Sequence, residues 1–198
     1  MKKEETQLRK RGFTLIAGTD EAGRGPLAGP VVAAAVILPE SYSNQNIHDS
    51  KKLTALQREE LFVEIKNTAI SYSFGVVSAR EIDALGILTA SKLAMRRAVL
   101  ALDPLPDFLL VDAVAVNLMD IPQKAIVKAD ETVFCVAAAS ILAKVHRDRL
   151  MLTYHKKFPE YGFNQHMGYG TQVHLKAIEK HGACTIHRKS FTPFKVKK

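Results

Sequence analysis

Carboxylate side chains follow apolar runs at two places in the sequence. The run 13–19 leads directly into Asp20 and Glu21, and a shorter run leads into Asp112. A fourth acid, Asp130, opens the longest segment with helical spacing. Burying a carboxylate costs free energy unless a partner compensates its charge, so acids at the ends of buried strands indicate more than surface solubility.

Each acid alone has an ordinary structural explanation. An Asp after a strand is usually a turn former, and Asp130 would usually be an N-cap. Several carboxylates at one end of a sheet repel one another, however, unless a cation lies among them. Oxygen ligands suit Mg²⁺ or Mn²⁺, and two such ions can stabilise both the attacking and the leaving oxygen of a phosphodiester. Because the sequence has no Walker loop, GxSxG elbow or HExxH pair, phosphodiester hydrolysis is the chemistry that it predicts.

The adjacency of Asp20 and Glu21 restricts how both could serve one site. On a regular strand neighbouring side chains point to opposite faces. We therefore expect the strand to end or bend at this point, where Gly23 and Gly25 permit unusual backbone conformations.

The elements that must position these acids follow from hydrophobic periodicity. Strands are predicted at 13–18, 30–38, 71–77, 108–111 and 125–127, and helices at 54–67, 79–102, 131–157 and 172–180. Thr54 and Asp130 are the expected N-caps, and Gly86 is expected to interrupt the second helix. A short link between the first two strands predicts an antiparallel pair. The pattern therefore predicts an α/β fold, with helices covering a mixed sheet.

The amino-acid composition restricts the kinds of binding partner and cellular compartment that we expect. The 198 residues include 28 Lys and Arg against 20 Asp and Glu, a formal net charge of +8. This excess suits a nucleic acid, although a basic surface without such a partner is about as common. Two cysteines without CxxC spacing argue against a zinc site and fit a reducing cytoplasm. Apolar runs are too short to span a membrane, so we expect a soluble cytoplasmic protein that binds no membrane.

Several segments together resemble the ribonuclease HII family. They are GTDEAGRGPLAGPVV at 18–32, DSKKL at 49–53, LVD at 110–112, Asp130, AAASILAKV at 137–145 with RD at 147–148, GYGT at 168–171 with His174, and HRKSF at 187–191. One such segment would be weak evidence, but this many in the family's order are hard to obtain by chance. The resemblance spans roughly residues 13–194.

The resemblance implies a ribonuclease-H-like fold, with Asp20, Glu21, Asp112 and Asp130 binding two Mn²⁺ or Mg²⁺ ions as the catalytic acids. It also implies an endonuclease that acts on RNA–DNA hybrids and cuts 5′ of single ribonucleotides embedded in duplex DNA. The products would carry a 5′-phosphate and a 3′-hydroxyl.

Substrate contacts are implied in the same way. Gly23, Arg24 and Gly25 would read the ribose 2′-hydroxyl, since glycines let backbone groups approach a sugar closely and this hydroxyl separates RNA from DNA. Tyr169 would sense the junction between ribose and deoxyribose. For an arbitrary Gly-Tyr-Gly, a core aromatic residue between turn glycines would be the more common explanation.

Ser50 and Lys51 lie in a family-like segment and are candidates for anchoring phosphates. Their structural alternative is a loop that caps the helix at Thr54. We expect one domain over 1–198, with a substrate-binding appendage at about 160–198, acting as a monomer. Five histidines between residues 155 and 187 show no ligand spacing, so we expect them on the surface or against phosphates: His155, His166, His174, His181 and His187.

Two positions depart from the family pattern. Ala113 stands where glycine is common, and we expect it only to tighten the turn. Glu131 stands where a small residue is usual, and its role stays open. Two other functions compete with the nuclease: a non-catalytic basic nucleic-acid-binding protein, which loss of an acid would favour, and a DNA resolvase or transposase core, against which Tyr169 and the Gly23–Gly25 element argue.

Overall fold

One five-stranded sheet forms the centre of the computed structural model, which describes residues 1–48, 50–113, 115–116 and 120–194, with only the backbone of Lys51. The strands are β1 (Ile16–Ala22), β2 (Val31–Ile37), β3 (Ser71–Val77), β4 (Phe108–Asp112) and β5 (Gln123–Ile126). Their order is β3-β2-β1-β4-β5. The pairs β1–β2 and β2–β3 are antiparallel, and β1–β4 and β4–β5 are parallel. The predicted mixed sheet is confirmed.

The helices of the described residues are α1 (Lys3–Lys10), α2 (Ala55–Thr68), α3 (Ala79–Leu85), α4 (Ile87–Leu100), α5 (Ala129–Thr132), α6 (Phe134–Lys157), α7 (Phe163–His166) and α8 (Gln172–His181). Short 3₁₀ turns occupy Ser50–Lys52 and Pro159–Tyr161. Thr54 caps α2 and Gly86 separates α3 from α4, as predicted. Within this described part of the chain, none of the helices combines the length and apolarity that crossing a bilayer requires.

Burial on both faces explains why β2 is wholly apolar. Ala34 and Val36 face a core that α2 and α6 complete, whereas Ala33 and Ala35 face a second core completed by α4. All seven residues of β2 are buried. A central strand covered on both faces needs no polar alternation, so the sheet is a rigid layer between two sets of helices.

Helix α6 approaches β1 closely at Gly18. A Cβ at this position would lie 2.5 Å from the backbone nitrogen of Val136 and would overlap the carbonyl group of Cys135. The alanines of α6 are buried as well, so small side chains let this helix lie close against the sheet. The first turn of α6 is therefore fixed relative to the strand that carries Asp20.

The element boundaries at the acids differ from the predictions in two ways. The first strand contains Asp20 and Glu21 instead of ending before them, because both pair with β2. Asp130 is not an N-cap: it lies within α5, and Val133 is extended before α6 begins. The reason is a long-range contact, since the Cys135 amide near the start of α6 donates to the Glu5 carboxylate at 3.0 Å.

Helix α1, which supplies Glu5, was not predicted. Its sequence is highly charged and offers only Leu8 as a buried apolar residue. The Phe134 amide also donates to the Met1 carbonyl at 3.1 Å. The position of α1 is thus determined by its tertiary contacts, because its own sequence shows almost no apolar periodicity.

The close contact at Gly18 generates a stability prediction. Gly18→Ala should lower the free energy of unfolding by about 3 kcal/mol, at the upper end for overpacking, because two backbone segments would have to separate. This corresponds to a Tm lower by roughly 6–12 °C in a protein of this size. Gly25→Ala is the matched control, because its added Cβ would meet no atom closer than 3.7 Å. Equal Tm values for the two variants would contradict the packing described here.

Candidate active site

A cavity of about 440 Å³ opens at the carboxyl ends of β1 and β4. Its lining comprises Asp20, Glu21, Ala22, Gly23, Arg24, Gly25, Ser50, Arg58, Asp112, Asp130, Ser140, Lys144, Arg147 and Tyr169. All four acids singled out in the sequence lie together here. Every substrate-contact candidate except Lys51 also lines this cavity, and the side chain of Lys51 lies outside the described residues.

Parallel pairing brings the acids together. Thr19 of β1 is paired with Val111 of β4, so Asp20 and Asp112 emerge at the same edge of the sheet. Asp130 arrives on α5, and the neighbouring Ala129 amide donates to Asp112 Oδ1 at 2.7 Å. This bond ties α5 to the end of β4, which explains how a residue from outside the sheet joins the group.

Burial and mutual repulsion disfavour the charged forms of two of these acids. Burial raises the pKa of Asp20 well above its usual value, and the nearby charges of Glu21 and Asp112 raise this pKa further. The pKa of Glu21 is raised chiefly by burial and also by Asp112, while Arg24 at 3.3 Å lowers it. The carboxylates therefore crowd more negative charge into the cavity than Arg24 alone balances.

The donor set suits a divalent cation in type and charge. Carboxylate oxygens are the ligands that Mg²⁺ and Mn²⁺ prefer, and a cation would relieve the repulsion among Asp20, Glu21 and Asp112. Yet among the residues described, no three His, Cys, Asp or Glu side chains are already arranged as a cluster that could hold a metal ion. The acids share a cavity without forming a preassembled coordination sphere.

Two buried arginines support the loop that follows β1. Arg188 is fully buried and donates to the carbonyls of Gly23 at 2.6 Å, Arg24 at 2.9 Å and Gly29 at 3.0 Å. Arg147 donates to the carbonyl of Pro30 at 3.1 Å. Burial, and then the charge of Arg147, lower the pKa of Arg188 to about 9. Backbone carbonyls thus compensate two desolvated guanidinium groups.

Gly23 is required by this arrangement. Its φ is 96°, and a Cβ would overlap the Arg147 side chain. No other residue fits both the conformation and the space. The role of the two arginines was not predicted, because each acts on carbonyls more than a hundred residues away along the chain.

Ser50 faces the cavity and does not cap α2. Its hydroxyl lies 2.9 Å from that of Ser140, and the Ser140 side chain lowers the pKa of Asp20 against the effect of burial. The N-terminus of α2 is capped by Thr54 in a capping box with Gln57, so the segment leads to a cap at Thr54 but Ser50 itself is not the N-cap. Arg58, which the sequence did not suggest, donates to the Ser50 carbonyl at 3.0 Å.

Tyr169 is not a core residue. Its side chain is 46% exposed, and its ring lies beside Gly25, where an added Cβ would be 3.7 Å from Tyr169 Cε1. The preceding Gly168, with φ 86°, accepts a hydrogen bond on its carbonyl from the Leu27 amide at 2.8 Å. The tyrosine loop (residues 168–171) therefore lies directly against the glycine–arginine–glycine loop (residues 23–25) and the residues that follow it.

The expectation of surface histidines is wrong for three of the five. His166, His174 and His187 are buried, whereas His181 is exposed and His155 is half-buried. The three buried rings contact one another and the aromatic rings of Tyr161 and Phe163. Sequence spacing does not reveal this, because the partners meet only after α7, α8 and the C-terminal segment have folded together.

The two residues that depart from the family pattern, Ala113 and Glu131, lie in different surroundings. Ala113 has φ 56°, the left-handed region that glycine adopts most easily, at a cost of about 1–2 kcal/mol. Glu131 is exposed and pairs with Lys128 at 3.5 Å, and it does not line the cavity.

Comparisons with known proteins agree with this architecture. The family model for ribonuclease HII matches residues 17–194. A ribonuclease HII of Desulfitobacterium hafniense is 54% identical over 191 residues, covering 96% of this chain and 74% of that protein. The crystal structure of ribonuclease H2 from Pyrococcus horikoshii is similar with a TM-score of 0.78 and 28% identity, covering 91% of this chain and 95% of that one. Bst-RNase HIII in complex with Mn²⁺, at 18% identity, shares the fold with a TM-score of 0.70, covering 91% and 68% of the two chains.

The crowding of carboxylates predicts that removing one charge stabilises the metal-free protein. Asp112→Asn should raise the Tm in chelator at neutral pH by about 2–4 °C, the shift that 1 kcal/mol gives at this size, because Asp20 and Glu21 lose a repelling neighbour. Asparagine keeps an oxygen that can accept from the Ala129 amide. Glu131→Gln, which alters an exposed pair, should leave the Tm nearly unchanged. A lower Tm for Asp112→Asn would refute the repulsion argument.

Proposed function

Because the chain belongs to the ribonuclease HII family, we propose that it cuts DNA duplexes on the 5′ side of a single embedded ribonucleotide, as well as RNA–DNA hybrids, by two-metal hydrolysis. Membership itself makes it a divalent-metal-dependent endonuclease of the ribonuclease H type that acts on RNA–DNA hybrids. The proposal adds the cut position, the mechanism and the residues responsible. One observation carries it: the acids, the glycine–arginine–glycine loop and Tyr169 line the same cavity.

Asp20, Glu21, Asp112 and Asp130 would hold the Mn²⁺ or Mg²⁺ ions. When bound, such ions lower the pKa of an attacking water and stabilise the charge that develops on the leaving oxygen. The chain's own contribution is to gather the acids in a partly buried place, where repulsion makes cation binding favourable. One chain supplies all four, which supports action as a monomer.

Cationic side chains of the cavity would bind the phosphodiester backbone. Arg58 and Lys144 lie on its wall, on α2 and α6, and the formal net charge of +8 attracts a polyanion. Lys51 is proposed as a further phosphate anchor, with Ser50 beside it. Without cations among the acids, the cavity would repel phosphate at its centre, so a purely non-catalytic binding function is not favoured.

Gly23, Arg24 and Gly25 would recognise the 2′-hydroxyl. Around Gly25, the ring of Tyr169 is the nearest obstacle to an added Cβ, so a sugar can approach the backbone there. Arg188 holds the loop from behind through its carbonyls. A backbone held in this way can form a hydrogen bond to one hydroxyl without rearranging, which is what distinguishes ribose from deoxyribose.

Tyr169 would test the next sugar. An exposed ring beside Gly25 can pack flat against a deoxyribose, and an additional hydroxyl on that sugar would obstruct the contact. The residues from about 160 onward, which carry Tyr169, are proposed as the appendage that contributes this test. Two adjacent tests, one for ribose and one for deoxyribose, define a junction.

The metal requirement is tested with a labelled RNA–DNA hybrid and sizing of the products. Cleavage should require Mn²⁺ or Mg²⁺ and stop in chelator. Asp112→Asn should lower the rate by more than about 100-fold, which exceeds the usual loss from a residue that only orients a ligand. Glu131→Gln should cleave at the wild-type rate. Near-wild-type turnover by purified Asp112→Asn protein would exclude Asp112 from the metal site.

The junction model is tested with duplexes that differ in one ribose. The wild-type protein should cut on the 5′ side of that ribose. Tyr169→Ala should lower this rate by about 10- to 100-fold, because the reacting bond is misplaced, while cleavage of a continuous hybrid falls less. Tyr169→Phe keeps the ring and should retain the preference. A wild-type protein that degrades hybrids but ignores the single ribonucleotide would overturn the model.

A further inference from the structure

Two buried histidines form a hydrogen-bonded chain behind Tyr169. His174 Nε2 lies 3.0 Å from His187 Nε2, and His174 Nδ1 lies 2.9 Å from the carbonyl oxygen of Tyr169. Neither ring lines the cavity, and both are buried. We call this pair the histidine relay.

The partners fix the direction of the relay. The Cys184 amide donates to His187 Nδ1 at 2.9 Å, so this nitrogen carries no proton. A neutral His187 therefore has its proton on Nε2 and donates it to His174 Nε2. His174 must then carry its own proton on Nδ1, which donates to the Tyr169 carbonyl.

The surroundings keep both rings neutral. Burial and the neighbouring His174 lower the pKa of His187 to about 4, and burial is also the main cause that lowers the pKa of His174. The titratable groups in contact with the relay are the His166 ring stacked on His174 at 4.5 Å, the Cys184 sulfur 3.1 Å from His187 Nδ1, and the Tyr161 ring at 4.9 Å, beside the apolar rings of Phe163 and Phe194. Among these contacts of the described residues, none is a carboxylate that would favour a protonated histidine. At neutral pH the relay therefore keeps one hydrogen-bond direction.

The two ends of the relay belong to different substrate-contact elements. His187 forms an antiparallel bridge with Ala28, just beyond the glycine–arginine–glycine loop. The next residue, Arg188, donates to the Gly23 and Arg24 carbonyls of that loop. At the other end, His174 lies in the first turn of α8 and holds the Tyr169 carbonyl. The relay thus connects the element proposed to find a ribose with the element proposed to test its neighbour.

A second attachment changes what the tyrosine loop can do. The amides of Leu27 and Ala28 both donate to the Gly168 carbonyl, so these backbone hydrogen bonds between the two loops converge on one oxygen atom. Hydrogen bonds to one atom alone leave rotation about it possible. The relay adds a second point on the carbonyl of the following residue, so the direction in which Tyr169 leaves the loop is set.

We propose that the histidine relay is a positioning device that holds Tyr169 at a fixed place relative to the glycine–arginine–glycine loop. It thereby sets how strongly the enzyme prefers a single ribonucleotide to a continuous hybrid. This inference rests on the proposed function of Tyr169 and names the positioning residues His174 and His187 behind it.

The test is the ratio of two cleavage rates, on a single-ribonucleotide duplex and on a continuous hybrid, measured in one preparation. A loss of folded protein scales both rates equally and leaves their ratio unchanged. His174→Phe keeps an aromatic ring but removes both relay hydrogen bonds, and should lower the ratio by about 10-fold or more, as a misplaced contact does. His187→Gln retains a donor toward His174 and should preserve most of the ratio. His181→Ala, at an exposed position on α8, is the matched control.

A double variant identifies the route of the effect. If the relay acts through Tyr169, then His174→Phe should not lower the ratio further in the Tyr169→Ala background, because interacting positions are not additive. If His174→Phe does not fold, His187→Phe compared with His187→Gln provides the same test. A ratio unchanged by the relay variants but lowered by Tyr169→Ala would overturn the relay alone. A ratio unchanged by Tyr169→Ala would overturn the junction model and the relay with it.

Discussion

Repulsion among carboxylates at the end of β1 and β4 is the constraint on which the rest of the structure depends. Asp20 is buried beside Glu21 and Asp112, and its pKa is raised well above the usual value by that environment. Such an arrangement destabilises the fold locally, so it persists only because the surrounding elements over-determine it. The wholly buried β2 and the close packing of α6 at Gly18 provide that rigidity. The hydrophobic layers thus hold the carboxylates in a buried, mutually repelling arrangement that the carboxylates would not adopt without this packing.

A complementary arrangement lies behind the loop that follows β1. Arg147 and Arg188 are buried, and their guanidinium groups are compensated mainly by backbone carbonyls. Positive charge beneath the loop and negative charge at the strand ends are therefore both desolvated, on either side of the cavity lining. Both guanidinium groups are too buried to contact a phosphate, so they act on the cavity only through the positive charge behind its lining. Their direct role is to hold the backbone of the loop that lines the cavity.

Local sequence patterns predicted the strands and helix ends that short-range interactions determine. The apolar runs of β1, β2 and β4, and the break at Gly86, follow from periodicity and backbone preference, and the acids could be recognised because charge at the end of a buried strand is unusual. Features set by distant contacts were not predictable from pattern. The interruption at Val133 depends on Glu5, and the burial of His174 depends on His187 meeting it in space. The family-like segments containing Arg147 and Arg188 marked these residues, but only the fold shows what they contact.

The hydrogen bonds from Arg188 to the loop end on main-chain oxygens, and this has an evolutionary consequence. Every amino acid supplies a carbonyl, so the hydrogen bonds of a guanidinium that donates only to carbonyls do not depend on which side chains the loop carries. The loop can therefore exchange side chains wherever its backbone conformation is kept, whereas loss of the guanidinium would leave three carbonyls without their donor at once. Substitutions on the surface of the loop are then expected to be tolerated better than a substitution of the arginine behind it.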